Sequence, residues 1–136
     1  MTGRNAQDVI AEFFRRQQAG DESVLDELVA VDMVNHASGP QGREGLRGIL
    51  RTIEADLGPI SAEQHHLFGE GDLVTQHLTL HGTHRGSTMP LLAGTTASGR
   101  PVTWTFIHIW RVVDGMIVEH WACRDDMGLR EQLRHL

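Results

Sequence analysis

The sequence predicts an α+β fold, a sheet of four or more antiparallel strands with helices on one face. Three observations carry that prediction. Apolar residues recur at helical spacing as far as Leu57, and after Pro59 they alternate instead. The last strands are joined by Asp114-Gly115, a strong two-residue hairpin signal. A short amphipathic stretch then closes the chain. With 136 residues and no repeat or linker-like shift in composition, the chain reads as one domain, 1–136.

Each element has a local reason. From Ala6 to Gln18, Val9, Ile10, Phe13 and Phe14 form one helical face, and Gly20 stops the helix. Asp21 and Ser23 can cap a short second helix carrying Leu25, Leu28 and Val29. "VNHASGPQG" is rich in breakers and reads as a turn. A third helix places Leu46, Ile49, Leu50, Ile53 and Leu57 on one side and ends at Gly58-Pro59. "SAEQHHLF" and "DLVTQHLTLHGTH" read as paired strands. "GSTMPLLAGTTASGR" is a long loop of the kind that covers something. "PVTWTFIHIWRVV" and "MIVEHWACR" form the final hairpin, and a helix runs from about Asp126 to Arg134.

Composition narrows the function. A net charge of −6 disfavours nucleic acid and anionic membrane as partners. No run of eighteen apolar residues could span a bilayer, and the N-terminus lacks a secretory pattern. Cys123 is the single cysteine, which precludes an internal disulfide and fits a reducing cytoplasm. Nine histidines and no tyrosine are the oddities. The histidines do not suggest a metal: His77 and His81 stand roughly 13 Å apart along a strand, and His65 and His66 fall on opposite faces.

With Asp114-Gly115 in the turn, strand partners sum to 229, placing His108 opposite Trp121, Phe106 opposite Cys123 and Trp104 opposite Asp125. One face then holds Trp104, Phe106, His108, Trp110, Glu119, Trp121, Cys123 and Asp125. A carboxylate facing aromatic rings loses hydration and becomes a better base near neutrality. His108, set among the aromatics, could donate or accept a proton. The opposite face is also substantially apolar, which implies a covering by a second subunit and hence a homodimer.

These segments resemble the SnoaL-like polyketide cyclases of the nuclear transport factor 2-like superfamily. "WRVVDGMIVEHWACRDDMGLREQL" matches the family's Arg, Gly turn, Val-Glu-His-Trp, Asp and Gly-Leu-x-x-Gln-Leu ending. "GEGDLVTQHLTLHGTHRG" is similar to its strand ending in Gly-Thr-His-x-Gly, which draws His84 into the candidate site, and "VNHASGPQGREGLRGIL" to its Asn/Asp-His segment. The resemblance implies a cone-shaped barrel, a curved antiparallel sheet wrapped around the N-terminal helices over a deep apolar cavity, usually as a dimer. Founding members close the last ring of anthracycline-type aglycones by intramolecular aldol condensation without metal or cofactor. The family's acid/base aspartate maps onto Asp125, and its Asn-His segment onto Asn35 and His36. The chain departs from the family in "GTTASG", where relatives often carry a Pro-Thr-Gly turn, and at His108.

The expected enzyme is therefore a cofactor-independent cyclase acting on a small apolar, polycyclic or polyketide-like molecule. Asp125 would remove a proton from carbon flanked by carbonyls, and His108 or His36 would serve the carbonyl oxygen. Trp104, Phe106, Trp110, Trp121, Leu78 and Leu80 would be walls, with Asn35 and His84 also lining the site. Other readings remain. Asp125 could instead cap the final helix, although Asp126 is the more natural cap, and His108 could be a satisfied core histidine. Isomerase-like and scytalone dehydratase-like chemistries on this fold rely on tyrosine, and an epoxide-hydrolase-like Asp-Arg-Asp set is missing from the aromatic strand. A related cofactor-free hydroxylase, or a non-catalytic binding or dimerisation module, would share most of these features.

Overall fold

The computed structural model describes residues 5–134. Helix α1 spans Ala6–Gln18, and Asn5 caps it, its Oδ1 accepting the Asp8 N–H at 2.8 Å. Helix α2 is Ser23–Leu28, and it runs directly into strand β1, Val29–Asn35. Helix α3 spans Gly42–Leu57. Strands β2 (Ser61–Glu70), β3 (Leu73–Thr83), β4 (Pro101–Val113) and β5 (Met116–Arg124) follow, and helix α4 is Asp126–Arg134. The fold is α+β, with a curved five-stranded sheet in the order β1-β5-β4-β3-β2. The sheet does not close: β1 and β2 are its two edges.

Two features differ from the sequence reading, and both bear on the site. Residues 29–35 form a strand rather than a helix end and a turn, and β1 pairs parallel to β5 while the other pairings are antiparallel. The alternation Val29, Ala30, Val31, Asp32, Met33 is short and contains a charge, so local pattern hides it. Its buried members, Val29 and Met33, are held by tertiary packing. The second difference is in the final hairpin. Asp114 and Gly115 both have positive φ (52° and 77°), as the tight turn requires. Val113 faces Met116 and Val112 faces Ile117, but Arg111 then faces Glu119. Val118 is thus an extra residue, a β-bulge, and beyond it every pair sums to 230. His108 lies opposite Ala122, not Trp121, and Phe106 opposite Arg124, not Cys123. All β5 side chains past the bulge change sides.

The interior has two apolar clusters. The first joins Val9, Ile10 and Phe13 of α1 with Val24, Leu25 and Leu28 of α2, Leu46 of α3, and Trp110 and Ile117 of the sheet. The second joins Ile53 and Leu57 of α3 with Leu78, Val102, Trp104 and Phe106 of the sheet, Leu129 and Leu133 of α4, and Met89 and Leu92 of the long loop. Full burial of one such side chain stabilises by about 1.5–3 kcal/mol. The loop covers this second cluster. It is pinned by Asp56, a buried carboxylate that accepts Thr88 N–H (3.1 Å), Thr88 Oγ1–H (2.8 Å) and Met89 N–H (2.8 Å). Among the described residues, no helix is long and apolar enough to cross a membrane.

Candidate functional site

At the seam between the two clusters lies a cavity of about 130 Å³. Its sheet wall is Gln76, Leu78 and Leu80 from β3, Phe106, His108 and Trp110 from β4, and His120, Ala122 and Arg124 from β5. Phe13, Leu46, Leu50 and Ile53 come from the helices, and Asn35 from the end of β1. No carboxylate is among the described residues that line it; the ionisable ones are His108, His120 and Arg124, whose guanidinium is bonded to Asp126 Oδ2 at 3.1 Å.

The imidazoles form a chain of hydrogen bonds whose direction the backbone sets. The Ala37 N–H donates to Asn35 Oδ1 at 3.0 Å, which identifies that atom as the oxygen. His120 Nδ1 lies 3.0 Å from the same oxygen and must carry a proton to bond it. In a neutral ring His120 Nε2 is then an acceptor. It sits 2.7 Å from His108 Nδ1, so His108 donates there and keeps its lone pair on Nε2. Among the described residues no buried side-chain nitrogen or oxygen lacks a partner. His108 Nε2 makes no hydrogen bond to the described residues, and His108 lines the cavity, so that nitrogen opens to it.

Both rings are neutral near pH 7. Burial, then the neighbouring His120 and Arg124, hold the His108 pKa well below the usual imidazole value. Burial, followed by Arg124 and His36, lowers His120 to about 4. His108 is also fixed by stacking, between Phe106 at 5.1 Å and Trp110 at 5.1 Å between ring centroids. Trp110 is fixed in turn, its indole N–H donating to Gln76 Oε1 at 3.1 Å. The result is an oriented, unprotonated imidazole nitrogen facing an apolar space, with one cation on the same wall.

Parallel pairing of β1 with β5 explains how this chain is assembled. Asn35 is the register partner of His120, and the His36 N–H donates to the His120 carbonyl at 2.8 Å. The bulge at Val118 turns His120 inward. Sequence reasoning missed His120, Ala122, Arg124 and Gln76 as cavity residues. The available signal was Asn35-His36, whose partner strand could be found only from tertiary structure.

Of the residues singled out from sequence, Asn35, His108, Phe106, Trp110, Leu78 and Leu80 line the cavity. The others lie elsewhere. Asp125 is exposed and caps α4, its Oδ1 accepting the Gly128 N–H at 2.9 Å. A side chain at position 128 would come within 2.2 Å of that carboxylate, so glycine is what lets the cap fold down. The expectation that Asp125 faces the aromatic strand fails because the bulge and the helix start turn it outward. His36 lies on the outer side, bonded to Glu119 at 2.6 Å and stacked on Trp121 at 4.8 Å and 11°. Trp121 is there because the register shift reverses its face. Trp104 is on the inner face but under α4, its indole N–H donating to Asp126 Oδ1 at 3.0 Å. His84 is buried in the base of the long loop, with its ring nitrogens against Ser98 and Ser87 Oγ at 3.2 and 2.9 Å. Its role there is to tie the two ends of the loop together.

Comparison with known proteins gives a consistent answer. IdmH from Streptomyces antibioticus, a candidate polyketide cyclase, is 32% identical, with a TM-score of 0.80 over 96% of this chain and 99% of that one. TsrD from Streptomyces laurentii is 27% identical, with a TM-score of 0.82 over 100% of both chains. AclR from Streptomyces galilaeus, a candidate hydroxylase, shares the fold at 22% identity and a TM-score of 0.80, over 96% of this chain and 85% of that one. No curated protein matches the chain. The family model described as SnoaL-like polyketide cyclase matches residues 4–133, which include every strand and all but the last residue of the helices described above, and the chain belongs to that family.

Proposed function

We propose that this protein closes a ring in a small polyketide-type substrate by intramolecular aldol condensation, with His108 as the acid/base group. The observation that carries this reading is the lone pair of His108 Nε2, held toward the cavity by the His120–Asn35 chain. An oriented base in a low-dielectric site can take a proton from carbon flanked by two carbonyls. The enolate attacks the carbonyl carbon at the other end of the folded substrate, forming the new C–C bond. The resulting alkoxide recovers the proton from His108 Nε2–H, so this ring-closing aldol addition, with no loss of water, is an isomerisation and consumes nothing. Arg124, on the same wall, stabilises the negative charge that passes from enolate to alkoxide. Asn35 and His120 act as positioning residues: they fix the tautomer and hold the ring.

This reading replaces the expected aspartate base with an imidazole, because Asp125 is a cap and the position facing His108 across the hairpin is Ala122. The outer sheet face carries exposed Ile107 and Ile109 beside Trp121, and a second copy of the chain would cover it. Sedimentation at micromolar concentration tests that dimer, and a monomer would sink it. The catalytic reading is tested by turnover of a tethered 1,3-dicarbonyl ester. His108→Gln should remove the activity and leave the fold intact by circular dichroism. Undiminished turnover would end the proposal.

A further inference from the structure

The cavity at His108 does not stand alone. A second, open chamber of about 390 Å³ lies between α1, α2 and α3. Gln17, Gln18, Leu50, Ile53 and Leu80 line both spaces, so the two adjoin at these side chains, which form the neck a ligand spanning both would pass. The inner chamber is close in size to an engineered cavity of about 150 Å³ that accepts benzene, room for one ring. It is smaller than the roughly 300–1,000 Å³ of ordinary small-molecule sites, whereas the outer chamber lies within that range.

The outer chamber differs in chemistry. Val24, Leu25 and Ile60 supply an apolar floor, and Asp21, Glu22, Arg47, Arg51 and Glu54 supply a charged rim. Those charges are already matched. Arg47 is bonded to Glu22, Asp26 and Glu44, and Arg51 to Glu22. Three carboxylates against two guanidiniums leave no spare cation for an anionic group. An uncharged chain lying on the apolar floor disturbs none of these pairs.

We infer that the substrate is an elongate, uncharged molecule with a head one ring wide, which sits against His108 while its tail passes the neck into the chamber between α1 and α3. This deepens the proposed function and rests on its placement of the base. It assigns the outer chamber as a tail-binding subsite, and it implies a free substrate rather than one delivered on a phosphate-bearing carrier arm.

The test uses phenols as probes, since the hydroxyl can donate to His108 Nε2 and the para position can carry a tail. Binding of phenol, 4-butylphenol and 4-octylphenol is followed by Trp fluorescence and by the His108 imidazole NMR signals. Affinity should rise roughly threefold to fourfold per added methylene that is buried. A carboxylate at the end of the butyl chain should weaken binding at least tenfold. Gln17→Trp at the neck and Ile60→Trp in the outer chamber should each bring the octylphenol Kd back toward the phenol value of the same variant. The two substitutions come from different elements, so misfolding of one leaves the other. Equal affinity across the series, or chain-length dependence that survives both substitutions, would overturn the subsite. Chain-length dependence with an unmoved His108 signal would uphold the subsite and refute the base.

Discussion

Two pairs of histidines sit on opposite sides of the same sheet. On the inner side, His108 and His120 meet at 2.7 Å; on the outer side, His66 Nδ1 and His77 Nδ1 meet at 3.0 Å. As hydrogen bonds they are nearly alike. In the inner pair His120 is buried and His108 half-buried, both are stacked on Trp110, Asn35 orients them, and both rings have lowered pKa values. The outer pair faces solvent at His66, with the His65 ring 4.8 Å from His77 and, among the described residues, no amide or carboxylate setting a tautomer. Proximity alone does not make an acid/base site. Burial and a third group that fixes the proton do, and strand parity decides which histidines receive them.

The largest expected effect on this contrast is at His108. Replacing it with glutamine should lower kcat by about 10²- to 10⁴-fold, whereas His66→Gln and His77→Gln together should leave turnover within about twofold. Comparable losses at both pairs would erase the distinction. The next effect concerns acid. His120 is near 4 when folded and near the ordinary imidazole value of about 6.5 when unfolded, so between these values the unfolded chain binds more protons. Stability is therefore full above about pH 6.5 and falls as pH drops toward 4, by of order 3 kcal/mol. Urea midpoints at pH 7.5 and 4.5 measure this, and His120→Gln should reduce the difference, His108 supplying the remainder, while His77→Gln should leave it unchanged.

A sharper probe is the third group. Asn35→Ala should cost roughly tenfold to a hundredfold in kcat with little change in KM, as expected when a ring loses its orienting partner. Asn35→Asp should retain activity and move the acid limb of kcat/KM to higher pH, because a carboxylate beside His120 favours the imidazolium. In the unaltered protein that limb should lie below the normal imidazole range, since both rings are depressed. An acid limb at or above pH 7 would contradict the desolvated, neutral pair. The smallest effect belongs to Asp125. As a cap, Asp125→Ala should lower stability by about 0.5–2 kcal/mol and leave kcat within about twofold; a large loss of kcat would restore it as the base.

Much of the fold was legible in the sequence because strong local signals agreed with the final packing. Val9, Ile10 and Phe13 bury the face of α1 that their spacing indicates, and α4 covers Asp126–Arg134 as read. The strand 29–35 was not legible: its pairing partner lies more than 80 residues away in sequence, and nothing local reports that. The site was half legible. His108, Phe106 and Trp110 follow from alternation within one strand. His120, Ala122 and Arg124 could not, because alternation carried outward from the Asp114-Gly115 turn assumes no bulge. The family likeness added Asn35 and pointed to Asp125, where helix capping and the turned-out backbone decide the geometry instead.

The bulge at Val118 has one more consequence. It makes the chemistry of the cavity depend on how many β5 residues are paired between the turn and the wall, not only on which residues they are. Taking Val118 into the ladder instead of leaving it out would keep composition, turn and helices, yet it would present Glu119, Trp121 and Cys123 to the interior and send His120 and Arg124 outside, whereas deleting Val118 would remove the bulge and leave every pair beyond it in place. Whether one residue is paired or left out thus decides between an imidazole wall and a carboxylate and thiol one.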